Sequence, residues 1–199
     1  KMKKIFNIIY NSFKKKNFIV IVNKILSRIS INKQKEALQW ANDNCSSFES
    51  FARNINQQIF EESQKFSIFL DKYAKKKLEG LNIDLGGGGF YQLLYFITRI
   101  TKPKIIVETG VAAGYSSQTF LYAININGFG KLYSSDFPYF RIKNPEKYIG
   151  YIVDEKLKKN WNLLIEGDQF ALPKFSKQIN KIDIFHYDSD KPYIGRVSA

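Results

Sequence analysis

Residues 105–117 read IIVETGVAAGYSS and establish the architecture of the C-terminal half of the chain. The β-branched run at the start of this stretch is typical of a buried parallel strand. The residues from Tyr115 to Asn127 predict a helix, which Gly128 ends. The stretch therefore predicts a strand, a glycine-containing turn and a helix, the first unit of an α/β sheet.

Three more strand-like segments follow, at residues 131–135, 161–165 and 182–187. Helical segments around 145–158 and 169–178 separate them, and this alternation predicts a Rossmann-like parallel sheet with right-handed crossovers. An acidic residue is predicted after each of the four strands: Glu108, Asp136, Asp168 and Asp188. Ligands of such sheets bind beyond the carboxyl ends of the strands, so the four acids predict a ligand site there.

The order of the motifs adds a family resemblance. Gly110, Ala112 and Gly114 follow an acid-x-Gly-x-Gly-x-Gly spacing, with alanine in place of the middle glycine. The strings LYSSDFP at 132–138 and HYDSDK at 186–191 follow in order. Over about residues 83–196, the chain resembles class I S-adenosylmethionine-dependent methyltransferases. Within that family it is most similar to a bacterial small-molecule branch near the macrolide and sugar O-methyltransferases and the cephalosporin-hydroxylase-like proteins.

This resemblance implies that the turn and the strand ends hold S-adenosylmethionine. Glu108 would pair with the cofactor's amino group, Asp136 would bind its ribose hydroxyls, and Asp168 would accept from its adenine amino group. Gly114 would allow the helix to begin close to the cofactor. The implied cofactor-binding residues are Glu108, Gly110, Ala112, Gly114, Ser116, Asp136 and Asp168.

The candidate catalytic residues are His186 and Asp188. His186, the only histidine, lies near the end of the fourth strand and can serve as a general base for a hydroxyl; a structural histidine is the alternative. Resembling O-methyltransferases bind a divalent cation, and Asp188 with Asp190 would offer oxygen ligands to Mg²⁺. The implied activity is direct methyl transfer from S-adenosylmethionine to a small-molecule or sugar acceptor.

Two other functions compete with this interpretation. A dinucleotide-binding dehydrogenase would need the spacing G-x-G-x-x-G, which residues 110–115 do not supply. A catalytically inactive methyltransferase-like scaffold or partner-binding protein stays open as the alternative. Truncation favours this alternative, because the family that the chain resembles has further strands after the fourth, whereas only residues 189–199 follow Asp188 here. The chain is thus expected to be a fragment or a C-terminally truncated product. The intact motif acids argue against an inactive scaffold.

The chain before this sheet predicts helices and no chemical site. Residues 1–82 are expected to form an N-terminal helical extension, and residues 83–199 the incomplete cofactor-binding domain. The extension contains predicted helices at about 33–44 and 46–79, the second with apolar residues at three- and four-residue spacing. The glycines at 86–89 are interpreted either as a lid or close backbone approach to a ligand, or as a plain linker.

Composition limits the partners. The formal net charge of +13 is compatible with nucleic acid or an anionic membrane. Arginine is scarce relative to lysine, which argues against nucleic-acid recognition. Residues 3–31 could contact a membrane surface, or pack on the domain or a second copy in a homo-oligomer. No apolar run approaches the ~20 residues of a membrane span. The single cysteine, Cys45, excludes a disulfide within the chain, and a cytoplasmic location fits.

Overall fold

The computed structural model describes Tyr10 and residues 32–44, 47–87, 89–137 and 139–189. In those residues the helices and strands follow the alternating order that the sequence predicts. They are α1 (Asn32–Asn44), α2 (Phe48–Leu78), α3 (Tyr91–Thr101), β1 (Ile105–Thr109), α4 (Tyr115–Asn127), β2 (Lys131–Ser135), β3 (Trp161–Leu164), α5 (Asp168–Ser176) and β4 (Ile184–Tyr187). The α/β class is confirmed.

The four strands form one parallel sheet in the order β3-β2-β1-β4. The chain moves outward from β1 to β2 and β3, then returns to the other side of β1 as β4. The strand order therefore reverses between β1 and β4, and a crevice at such a point is where open α/β sheets bind ligands. The carboxyl ends of β1, β2 and β4 meet at the edge where Thr109 pairs with Ser135 and Tyr187.

Helices cover both faces of the sheet. On one face, α4 buries Phe120, Leu121 and Ile124 against Ile106 and Leu132. On the other face, Ala171 and Phe175 of α5 pack with Val107 and Tyr133. Strands buried on both faces have few polar positions, which is why the run at 105–107 is wholly apolar.

Helices α2 and α3 form a further layer that packs against α4. Phe66 and Leu70 of α2 pack with Tyr95 of α3 and Ala123 of α4. Arg99 of α3 donates from Nε to Oε1 of Glu62 on α2 at 2.9 Å, which adds an ion pair to this apolar contact. The layer holds α3, and so the residues just before it, against the first unit of the sheet. The proposed domain boundary at 82/83 stays a prediction.

Helix α2 confirms the predicted helix at 46–79 but contains a kink. Asn56 has φ −162° and ψ 101°, which breaks the helical backbone there. Its side-chain Oδ1 accepts a hydrogen bond from the backbone N–H of Ile59 at 2.9 Å. An asparagine that accepts in this way acts as an N-cap, so Asn56 begins a second helical segment within α2.

The predicted helix around 145–158 is wrong. The structure has two short 3₁₀ segments instead, Pro145–Tyr148 and Glu155–Asn160. Between them the backbone N–H groups of Gly150 and Ile152 donate to the carbonyls of Ala112 and Ala113, at 2.8 and 3.0 Å. Those donors are therefore not available for an i→i−4 ladder, and no continuous helix forms.

None of the helices in the described part of the chain combines the length and the apolar character that a bilayer crossing requires. Most of residues 3–31, whose sequence is compatible with membrane contact, lie outside the described residues, as does Cys45.

Candidate cofactor-binding site

The turn after β1 is fixed by close packing of backbone on backbone. Gly110 has a φ of +85°, and a Cβ at that position would lie 2.7 Å from the carbonyl carbon of Asp188. Gly114 has a φ of +98°, and its Cβ would lie 2.8 Å from the Cα of Gly150. The protein itself therefore excludes a side chain at both positions. For Gly114 this packing is a further reason for glycine, and the predicted proximity to the cofactor stays a prediction.

Ala112 occupies the position where the resembling motif has its middle glycine. It has a φ of +50°, in the left-handed region, and its side chain is exposed. A left-handed conformation costs an L-residue about 1–2 kcal/mol. The loop therefore keeps a glycine-like backbone without the glycine, and stores some strain at the candidate site.

The Asp136 carboxylate lies directly against this turn. Its Oδ2 accepts hydrogen bonds from the backbone N–H groups of Val111, at 3.0 Å, and of Ala112. Its Oδ1 accepts from the N–H of Phe137 at 2.6 Å. In a dinucleotide fold the turn N–H groups would face pyrophosphate, and a carboxylate beside them would repel it. The arrangement is therefore unsuited to a phosphate-binding turn.

Glu108 was predicted to follow the first strand, but it lies within β1. Its carboxylate is fully buried and its Oε2 accepts from Ser117 Oγ at 2.6 Å and from Ser134 Oγ at 2.7 Å. Among the described residues, its Oε1 has no hydrogen-bond partner. Burial raises the pKa of Glu108 to about 7, although the hydroxyls of Ser116, Ser117 and Ser134 act to lower it. A cationic ligand nearby would favour the ionised form.

Asp168 begins α5 and links two strand ends. Its Oδ1 accepts from Ser135 Oγ at 2.7 Å, and its Oδ2 accepts from the hydroxyl of Ser189. Ser135 ends β2, whereas Ser189 follows β4 on the other side of β1. The carboxylate thus lies over the carboxyl edge of the sheet, as the sequence predicts for an adenine-facing acid. Its role in binding stays a prediction.

A cavity of about 330 Å³ opens beside the turn. It falls at the low end of the size range of small-molecule pockets, about 300–1,000 Å³. The structure brings together on its wall these predicted site residues: Gly110, Ala112, Ser116, His186 and Asp188. Glu108, Gly114, Asp136 and Asp168 adjoin the same turn or strand ends without lining the cavity. Among the described lining residues there is no lysine or arginine.

His186 lies on β4 beside Glu108, since the two residues are register partners. Its ring meets that of Phe120 edge-on, with centroids 5.4 Å apart. This packing fixes the ring at the cavity wall and fits both the base and the structural interpretation. Asp188 follows β4 and is exposed.

The other wall of the cavity was not predicted. It consists of the two glycines on either side of residue 88, the aromatic residues Phe90, Tyr91 and Tyr115, and Leu93 and Leu94. Gly87 and Gly89 therefore lie beside a cavity, which agrees with the close-approach interpretation of the glycine run. The available signal was the placement of an aromatic residue at the start of each of two helices, directly after glycine-containing segments.

The described residues give the predicted magnesium site no support. Among residues 32–44, 47–87, 89–137 and 139–189, no three His, Cys, Asp or Glu side chains come together to hold a metal. Asp190, the second predicted ligand, lies outside the described residues.

Parts of this chain align with solved methyltransferase structures. An SAH-bound methyltransferase from Podospora anserina aligns with 77% of this chain and 64% of its own length, at 14% identity and a TM-score of 0.47. A methyltransferase from Geobacter sulfurreducens aligns over 58% and 55%, at 20% identity and a TM-score of 0.41. The O-methyltransferase from Bacillus cereus, in complex with SAH, aligns over 77% and 60%, at 15% identity and a TM-score of 0.41.

These likenesses concern the fold alone. The chain spans 64%, 55% and 60% of the length of those three proteins. No protein-family model and no curated protein sequence matches the chain.

Proposed function

We propose that this chain binds S-adenosylmethionine at the carboxyl edge of its sheet and belongs to an enzyme that transfers the methyl group to a hydroxyl of a small molecule or sugar. The observation that supports this most is the electrostatic character of the turn. Its N–H groups face Asp136, and its cavity has Asp188 but no lysine or arginine among the described lining residues. Such a site suits a cationic cofactor and disfavours phosphates.

The residues around the turn fit that cofactor. Glu108 has a buried oxygen without a hydrogen-bond partner among the described residues, and although this residue does not line the cavity, its carboxylate next to the turn favours a cationic amino group there. Asp136 lies at the end of β2, where ribose hydroxyls could donate to its carboxylate. Ser116 lines the cavity at the start of α4, where a helix N-terminus favours the cofactor's carboxylate. We assign these contacts by matching the charges and hydrogen-bonding groups of the cofactor to those of the residues.

When bound, S-adenosylmethionine supplies a methyl carbon on a positively charged sulfur, which becomes a neutral thioether as that carbon bonds to the acceptor oxygen. The chain's part is to position the reactants and to accept the hydroxyl proton. We assign proton acceptance to His186, with Asp188 as the alternative base or as a ligand to Mg²⁺. Both residues lie on the wall of the cavity.

Calorimetric titration with S-adenosylhomocysteine (SAH) tests the cofactor site. We expect wild-type binding that Asp136→Asn weakens at least about 10-fold, since charge-assisted hydrogen bonds contribute about 1.5–3 kcal/mol. Glu155→Gln is the matched control, because Glu155 lies outside the cavity lining and pairs with Lys158 at the surface. It should leave the affinity unchanged.

Absence of SAH binding by the wild-type protein would contradict the proposal and favour the inactive scaffold. Binding without methyl transfer to hydroxyl-bearing small molecules, with and without Mg²⁺, would keep the cofactor site and reject the enzyme. Methyl transfer that depends on Mg²⁺, and that Asp188→Asn abolishes, would support the metal role.

A further inference from the structure

Two tyrosines form a stacked pair on the cavity wall. Tyr91 is the first residue of α3 and Tyr115 the first residue of α4. Their ring centroids are 5.3 Å apart and the ring planes differ by 12°. Both rings line the cavity that contains Gly110, His186 and Asp188. The pair therefore presents an aromatic surface to any ligand that lies on the turn.

The glycine segment before α3 supports these two rings. A Cβ at Gly87 would lie 3.5 Å from Cε2 of Tyr115, and one at Gly89 would lie 2.8 Å from Cε1 of Tyr91. Only a residue without a side chain brings the backbone at position 89 so close to the ring. Gly89 therefore lies tightly against Tyr91, whereas position 87 has room for a methyl group in ordinary contact with Tyr115.

The surroundings of the pair favour positive charge. Burial, together with the neighbouring Tyr115, Asp188, Asp71 and Glu108, raises the pKa of Tyr91 to about 12. Negative groups thus act on the Tyr91 hydroxyl from α2, β1 and the segment after β4. Aromatic rings attract cations through their quadrupole. A sulfonium, whose positive charge is surrounded by alkyl groups, would be stabilised by both the ring and the carboxylates.

We propose that the Tyr91–Tyr115 pair recognises the positive sulfonium of S-adenosylmethionine and makes the site prefer the charged cofactor over its neutral product, SAH. This inference rests on the proposed function, because it needs the cofactor to occupy the cavity. Methyl transfer removes the charge from sulfur, so the attraction to the two rings is lost as the product forms. The pair would thereby favour exchange of product for fresh cofactor.

The test compares the Kd of S-adenosylmethionine with that of SAH for the wild-type protein and for Tyr91→Phe, Tyr91→Leu and Tyr115→Leu. Each leucine variant should lower the preference for the charged cofactor about 3- to 10-fold, the range expected for loss of a partly buried cation–π contact. Tyr91→Phe is the matched control, because it keeps the ring and should keep the preference. Thermal unfolding reports whether each variant is folded.

A second comparison needs no variant. In sinefungin, a carbon that bears a positively charged amine replaces the neutral sulfur of SAH. The wild-type protein should therefore bind sinefungin more tightly than SAH. Equal affinities, or a leucine variant that keeps the wild-type preference, would overturn the inference while leaving the cofactor site in place. A wild-type protein that binds none of the three ligands would contradict the proposed function instead.

Discussion

At each of the two edges of the sheet, an aspartate accepts hydrogen bonds from two consecutive backbone N–H groups. At the carboxyl edge, Asp136 accepts hydrogen bonds from the consecutive N–H groups of Val111 and Ala112. At the amino edge, Asp183 accepts from those of Lys104 and Ile105, at 2.9 and 3.0 Å. Each aspartate joins a neighbouring segment to one end of the β1 unit.

The two edges differ in the pKa shifts of their carboxyl groups and in the strain of their backbone. The N–H groups of Ile105 and Lys104 lower the pKa of Asp183, and Lys181 lies 3.4 Å from it. The carboxyl edge instead contains Glu108, whose pKa burial raises to about 7, and Ala112 at a φ of +50°. Unfavourable groups of this kind concentrate at functional sites, because the rest of the fold compensates for them. The contrast supports the proposal that ligand binding takes place at the carboxyl edge.

The largest expected effect on stability is that of Gly110→Ala. A methyl group there would meet the backbone of Asp188 at 2.7 Å, in addition to the strain of a φ of +85°. Left-handed strain costs about 1–2 kcal/mol and forced overpacking about 1–3 kcal/mol, so we expect a loss of about 3 kcal/mol in the free energy of unfolding. Urea denaturation measures it.

Gly128→Ala is the control for that substitution. Gly128 has a similar φ of +82°, but nothing lies within 4 Å of its Cβ position. It should lose only the conformational part, about 1–2 kcal/mol. Equal losses for the two variants would mean that β1 and the segment after β4 do not approach as the structure has them.

The next effect is a pH dependence from Glu108. Its pKa of about 7 in the folded chain lies above the ordinary value of 4.5. Between these values the folded chain holds a proton that the unfolded chain has lost, so the free energy of unfolding falls as the pH rises. The difference corresponds to about 3 kcal/mol at most. Glu108→Gln keeps acceptors for the serine hydroxyls and should abolish this slope, as urea denaturation at a series of pH values will measure.

Asp183→Asn should change the opposite limb of the same profile. The stability that comes from the lowered pKa of Asp183 is present above its unfolded value of 3.8 and is lost as the pH falls through the folded value. The variant should therefore flatten the acid limb and leave the slope between pH 4.5 and 7 intact. For the preceding prediction, a Glu108→Gln variant that keeps the wild-type slope between pH 4.5 and 7 would show that the Glu108 carboxylate is not buried as described.

Much of the fold follows from local sequence signals. The β-branched and apolar runs locate the strands, and β2 has the predicted bounds of Lys131–Ser135. Helix α4 runs from Tyr115 to Asn127, as predicted, because a left-handed glycine flanks each end. Such signals are contained within a few residues, so no knowledge of the tertiary structure is needed to interpret them.

The rest depends on which segments become neighbours. That Glu108 lies within β1 between Ser134 and His186 follows from the order of the strands, which local periodicity does not encode. Likewise, Gly150 cannot continue a helix because its N–H donates to Ala112, far away in the chain. The tyrosine wall arises only when α3 and α4 pack together. The acids of the candidate site are therefore easier to predict from the sequence than its aromatic wall.

The smallest expected effect comes from Ala112→Gly. Glycine removes about 1–2 kcal/mol of left-handed strain at a φ of +50°, but it makes the unfolded chain more flexible by about 0.4–1 kcal/mol. We expect a net stabilisation of about 0.5 kcal/mol, measured by urea denaturation. Ala113→Gly is the matched control, because Ala113 is buried and has no positive φ, and it should destabilise by about 1 kcal/mol. Destabilisation by Ala112→Gly would show that the turn is not left-handed at this residue. The strain would then no longer distinguish the two edges, and Glu108 alone would support ligand binding at the carboxyl edge.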